Sequence, residues 1–173
     1  DIAEEAGINV ALLNYYFRSK EKLFDIIMES NVKQFVLSIG QITNDESTTL
    51  CEKFEQFVGG YIDMLIAQPD MPIFILSEIR NNPVRLIEKV RFDKILLNSY
   101  MITQIREEIV AGKITEINPV HIMINLLSLT VFPFVGSPIL KRIGGMSDEQ
   151  FNALMLERKQ LIPLWVETFL YRK

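Results

Sequence analysis

Apolar side chains return at three- and four-residue steps in every long segment of the chain, and no stretch alternates apolar and polar residues between hairpin turns. The pattern predicts an all-α protein. Helix starts are marked by their caps. Ser19 precedes KEKLFDIIMESNVKQFVLSI, and Thr49 with Glu52 forms a T-x-x-E capping box before KFEQFVGGYIDMLIA. Asn82 with Pro83 supplies an N-cap and a first-turn proline for a long helix running to about Val110, and Asn118 with Pro119 repeats the device. Ser147 with Gln150 makes a capping box ahead of a last helix running to about Leu170, which Pro163 is expected to kink. The connectors GQITNDEST, AQPDMP, RNNP, AGKITEIN and VGSPILKRIGGM are short and rich in turn formers, which favours antiparallel neighbours in a bundle.

The opening stretch, DIAEEAGINVALLNYYFRSKEKLF, breaks after one glycine and restarts as an aromatic-rich segment, too soon for a loop between ordinary core helices. DIAEEA reads as a helix with Ile2, Ala3 and Ala6 inward, Gly7 as its left-handed end and Asn9 as the N-cap of the next helix. That arrangement is a helix-turn-helix. Its second helix begins with Val10, Ala11 and Leu12, small or apolar residues suited to approach base edges, while Leu13 and Phe17 fall on the inner side. Asn14, Tyr15 and Tyr16 remain outside, where an amide and two hydroxyls suit phosphate oxygens. Lys20 sits in the first turn of the following helix, beside backbone amides that themselves attract phosphate. The plainer alternative is two packed helices of a bundle.

These residues resemble the DNA-binding motif of TetR-type transcriptional regulators, in which a helix is followed by AG-V-S, a short recognition helix ending in aromatic-x-F, and SKE-x-L. The resemblance covers Ile2 to Phe24: the glycine, the inner Leu13, the Phe17 plug and the SKEKL exit stand at matching offsets. Two positions depart from the pattern, Asn14 where the family most often has tyrosine and Leu12 where it often has a hydroxyl residue. The family also has a further helix before this point, so the resemblance implies that the chain as given lacks its first helix. Residues 1 to 24 carry Asp1, Glu4, Glu5 and Glu21 against Arg18, Lys20 and Lys22, a sum of -1. The absent helix is expected to be basic.

Composition narrows the reading. The 173 residues are 49% hydrophobic and 23% charged, within the range of one globular domain with a small appendage, and the net charge of -4 confines any DNA contact to a patch. One cysteine, Cys51, forms no internal disulfide, and no signal sequence opens the chain, so a cytoplasmic location is expected. Ile117 to Leu140 carries no Asp, Glu, Lys or Arg and is long enough to span a bilayer, but it is interrupted by Asn118, Pro119, His121, Asn125, Ser128, Thr130 and Pro133. A helix buried against protein on most sides is the preferred reading, with no membrane partner.

The resemblance implies a division into residues 1–42, the remainder of the DNA-binding head with its connecting helix, and residues 43–173, a ligand-binding and dimerising body whose last two long helices form a four-helix bundle with a second copy. The last helix places Phe151, Leu154, Met155, Ile162, Trp165, Val166 and Phe169 at helical steps, and of these Phe151, Met155, Ile162, Trp165, Val166 and Phe169 are the candidate dimer contacts. Monomer core is the alternative for the same residues. On the helices that surround the cavity in the resembled family lie Phe57, Tyr61, Met64, Phe74, Phe92, Leu96, Tyr100, Met123 and Leu127, the candidate ligand contacts. Asp93 joins them because it shares a face with Leu86, Val90, Leu97 and Tyr100; it would meet either a cationic ligand or an intramolecular Arg or Lys. His121, the single histidine, is assigned a structural hydrogen bond, and no metal or other cofactor is expected. Arg80, Arg85 and Arg91 read as a solvated edge, with an anion site as the alternative.

No nucleophile beside a base, phosphate-cradling glycine loop or metal cluster is apparent, so the chain is not read as an enzyme. The expectation is a ligand-responsive, homodimeric regulator that binds double-stranded operator DNA, with repression the family's commoner mode and a small apolar molecule as effector. The alternative, suggested by Leu12 and Asn14, is a helical dimer that no longer binds DNA and serves as a small-molecule or interaction module.

Overall fold

The computed structural model describes residues 7, 9, 11, 19–81, 83–90, 98–115 and 118–171. Among the described residues the structure is helical and contains no strand, as the periodicity predicts: α1 (Lys20–Asn44), α2 (Leu50–Ala67), α3 (Met71–Asn81), α4 (Pro83–Val90), α5 (Tyr100–Val110), α6 (Pro119–Val135), α7 (Ser137–Gly144) and α8 (Asp148–Leu170).

The described caps form as the sequence indicates, while Asn82, the cap expected ahead of Pro83, lies outside the described residues. The Ser19 hydroxyl accepts from the Lys22 amide at the start of α1. Thr49 with Glu52 and Ser147 with Gln150 close capping boxes ahead of α2 and α8, and Asn118 Oδ1 accepts from the Val120 amide ahead of α6. Each cap satisfies an amide that a helix leaves without an internal partner.

Two boundaries differ from the expectation. The run from Pro83 is not one helix to Val110: Asn98 and Ser99 are non-helical, and a new helix starts at Tyr100 with Ser99 as an extended N-cap. Serine and asparagine compete with helical hydrogen bonds and favour such starts. The segment VGSPILKRIGGM is not a connector throughout, because Ser137–Gly144 forms α7, opened by Pro138 in its first turn and ended by Gly145 at φ +60°. Pro163 lies inside α8 without ending it.

The core is built around α2, which packs against α8, α1, α6 and α5. Phe54, Phe57, Val58, Ile62 and Leu65 of α2 are almost wholly buried. They meet Val32, Phe35, Val36 and Ile39 from one stripe of α1, and Phe151, Met155, Ile162 and Val166 from one stripe of α8.

A buried lysine fixes the junction between α1 and α2. The Lys53 side chain has no exposed surface, and its ammonium donates to Asp45 O and, at 2.7 Å each, to Thr48 O and Oγ1, while lying 5.3 Å from the centre of the Tyr100 ring. Three acceptors match its three donors. Burial pulls the Lys53 pKa down, against the attraction of Asp45 and Glu52. Asn44 Oδ1 accepts from the Tyr100 amide at 3.1 Å, so the end of α1 is tied to the start of α5.

The uncharged helix α6 buries Ile122, Met123, Leu126, Thr130, Pro133 and Phe134 but exposes Ile124 and Phe132, so it is covered by the protomer on one side rather than on most. No single described helix is long and apolar enough to cross a membrane, and α6 with α7 would be so only as a pair bent by 64°.

Candidate DNA-binding and effector-binding sites

In the described part of the N-terminal motif, Gly7 forms a turn and Asn9 a cap. Gly7 has φ +64°, and a Cβ there would meet nothing within 4 Å, so the backbone angle alone calls for glycine. Asn9 Oδ1 accepts from the Ala11 amide at 2.8 Å, which makes Asn9 the N-cap of the segment that follows. Asn9 and Ala11 are exposed, and α1 begins eleven residues after Asn9 behind its own cap, Ser19. Val10, Leu12, Asn14, Tyr15 and Tyr16 lie outside the described residues, as do Leu13 and Phe17; Lys20 opens α1, with its side chain outside the description.

Further along the chain, α2, α3, α4 and α6 line an apolar cavity of about 710 Å3 that is partly open to solvent. Tyr61, Leu65, Ile75, Ile79, Leu127 and Phe132 are among its lining residues. Of the residues singled out from sequence, Tyr61 and Leu127 reach it. Phe57, Phe74 and Met123 are packed into the core instead, Met64 is half-buried against that core, and Tyr100 covers the Lys53 ammonium. Phe92, Asp93 and Leu96 lie outside the described residues. The wall that sequence reasoning missed is α3, where Pro72, Ile75, Leu76 and Ile79 recur at steps of three, one and three, a helical stripe that was available to be read.

Tyr61 is held in place by two rings. Phe35 of α1 meets it edge to face at 4.4 Å between centroids, and Phe57 lies at 5.0 Å. Burial pushes its phenol well above the usual tyrosine range, so the hydroxyl is a neutral donor. A second contact, Phe24 with Phe74 at 6.2 Å, joins α1 to α3. Two elements that line the cavity thus touch the helix that leads away from the N-terminal motif.

A second hollow, about 660 Å3, lies where α6 meets the end of α8, lined by Ile122, Asn125, Val166 and Phe169 among others, and it shares Ser128 and Leu129 with the first. Nearby, Arg158 donates to Leu129 O at 2.8 Å and stacks 5.2 Å from the Trp165 ring.

The residues expected to pair across a dimer divide into two sets. Phe151, Met155, Ile162 and Val166 face the protomer's own core, and Trp165 is half-buried beneath Arg158, while Phe169 is 60% exposed. The apolar stripe assigned to the dimer is therefore mostly core, because α8 must cover α2. A different set stands outward on α8, Leu154, Leu161, Leu164 and Phe169, together with Val120, Ile124 and Phe132 on the adjoining α6.

His121 is exposed, and among the described residues its side chain makes no hydrogen bond of the structural kind expected. Arg80 is exposed as expected of a solvated edge, while the Arg85 side chain and Arg91 lie outside the described residues. Among the described residues no three His, Cys, Asp or Glu side chains come together in a metal-binding arrangement.

Residues 1–27 match the family model for bacterial regulatory proteins of the tetR family. That match supports a TetR-family regulator, and with it a role in transcription and DNA as a partner. No curated protein matches the chain.

Proposed function

With a TetR-type head as the premise, we propose that the chain is a ligand-responsive, homodimeric repressor of the cytoplasm, released from a palindromic operator by a small apolar effector. Residues 1–42 serve as the DNA-reading head and 43–173 as the effector-binding and dimerising body. The observation that carries the reading is the continuity of α1: it begins within the matched residues 1–27 and ends in the body, packed through Phe35 on a residue that lines the cavity.

In this reading Ala11, with Val10 and Leu12, meets base edges, and Asn14, Tyr15, Tyr16 and Lys20 meet phosphates. The exposed apolar residues of α6 and α8 supply the twofold contact, since an isolated protomer would leave Ile124, Phe132, Leu164 and Phe169 in water. An effector that binds one relative placement of the two heads more tightly than the other shifts the population toward it and changes the half-site spacing that the dimer fits. No catalytic step is assigned.

Selection from random duplex DNA with the full-length protein tests this function. Enrichment of an inverted repeat, bound with an affinity that falls steeply as salt rises, is the expected result. A folded dimer that enriches no sequence would contradict it and favour a binding module without DNA recognition.

A further inference from the structure

The cavity between α2, α3, α4 and α6 is lined almost wholly by hydrocarbon. Among its described lining residues only Tyr61 and Ser128 carry a polar side-chain group, and none is charged. Its volume of about 710 Å3 is within the range of small-molecule sites. The α6 wall runs from Leu127 to Val135, eight steps of 1.5 Å or about 12 Å along the helix, long enough to lie beside an extended hydrocarbon chain.

An ionised ligand group buried against this lining gives up its hydration and meets no opposite charge among the described residues, a cost of several kcal/mol in general. A neutral chain loses only apolar hydration. Of the two polar lining residues Tyr61 is half-buried and Ser128 is exposed, so Tyr61 supplies the more sheltered polar group. Its ring is clamped by Phe35 and Phe57, and it has no hydrogen-bond partner among the described residues. A phenol both donates and accepts, so it suits a hydroxyl, ester or ketone oxygen equally.

We propose that the effector is an uncharged, elongated lipid-like molecule, a hydrocarbon chain with one neutral oxygen-bearing end, and that Tyr61 hydrogen-bonds that end. The proposal rests on the effector-binding reading above and gives it a ligand class. Discrimination against charged analogues of the same chain follows from the lining, and orientation of the ligand follows from the single clamped hydroxyl.

Three probes that share a ten-carbon chain separate the possibilities: 1-decanol, decanoate and decyltrimethylammonium, each titrated calorimetrically into the full-length protein below its micelle concentration at neutral pH. Decanol is expected to bind, and both charged probes to bind more weakly by about tenfold or more. Tyr61→Phe is expected to weaken decanol by roughly fivefold, the worth of one hydrogen bond, and Ile75→Trp, which fills the cavity from α3, to abolish its binding. Equal or tighter binding of decanoate or the ammonium probe would overturn the proposal, as would binding of none of the three by folded protein or an unchanged decanol affinity in Ile75→Trp. Decanol binding that leaves operator affinity untouched would uphold the ligand class and count against the regulatory reading. Operator release by decanoate alone would do the reverse.

Discussion

The Phe35 ring on α1 packs edge to face on the Tyr61 ring of α2, with centroids 4.4 Å apart, and Tyr61 presents its other surroundings to the apolar cavity. A ligand that shifts Tyr61 therefore pushes on α1. Phe35→Leu retains an apolar side chain but removes the ring edge, at a stability cost of about 1 kcal/mol. Operator affinity without ligand is expected to stay near the parent's while the ligand's effect on it shrinks. Competition titrations with and without ligand measure both, and an undiminished ligand effect would remove this contact from the coupling.

Lys53 is the residue whose loss should most damage the α1–α2 junction. Lys53→Met fills similar space but leaves the Asp45 and Thr48 carbonyls without their buried donor. The expected loss is about 1–3 kcal/mol, seen as a Tm lower by roughly 3–10 °C for a chain of this size. Thermal unfolding followed by circular dichroism reads it; an unchanged Tm would mean that water replaces the ammonium at no cost.

The two faces of α8 respond oppositely to charge. Leu164 is 57% exposed and Val166 is 3% exposed. Leu164→Glu is expected to give folded monomers by sedimentation, whereas Val166→Glu unfolds the protomer because it buries an unpaired carboxylate. A Leu164→Glu protein that remained dimeric would place the twofold contact elsewhere.

At the head, Lys20→Ala is expected to weaken binding to every DNA sequence alike and to reduce the salt slope by about one unit, as for the loss of one phosphate contact. Ala11→Ser should instead alter base preference with the slope unchanged, because its neighbourhood meets base edges. Repeating the selection with each variant, followed by salt titration, distinguishes the two roles. A changed preference in Lys20→Ala would refute its assignment to phosphate.

Burial raises the Cys51 thiol from 9.0 to about 11, aided by a hydrogen bond with Glu167. At neutral pH the native thiolate fraction is lower by about 100-fold than for a free thiol, so alkylation is correspondingly slow. Because the folded state holds this proton more tightly than the unfolded chain, the contribution to stability is complete below pH 9 and is lost as pH rises toward 11. Iodoacetamide kinetics on native and urea-unfolded protein check the first statement; equal rates would contradict it.

Local signals were legible where a single residue decides the geometry. Gly7 at a left-handed turn, Asn9 and Ser19 as N-caps and the two capping boxes can be read from residue type and spacing, because each satisfies its own backbone within a few positions. What faces what is not local. Phe57 and Tyr61 lie one turn apart on α2, yet one is sealed in the core and the other lines the cavity, a division made by the helices that pack against α2, namely α1, α5, α6 and α8. The apolar stripe of α8 was visible, but whether it covers α2 or a second copy depends on the helix it meets. Ser99 shows the remaining kind of miss: a cap inside a strongly periodic run was outweighed by the period.

The most direct measurement of the central claim is fluorescence anisotropy of the selected operator duplex with the full-length protein, titrated with 1-decanol. Progressive release at decanol concentrations that match its calorimetric affinity, and no release in the Ile75→Trp protein, is the predicted result. An operator that stays bound while decanol saturates the cavity would contradict ligand-responsive regulation through this site.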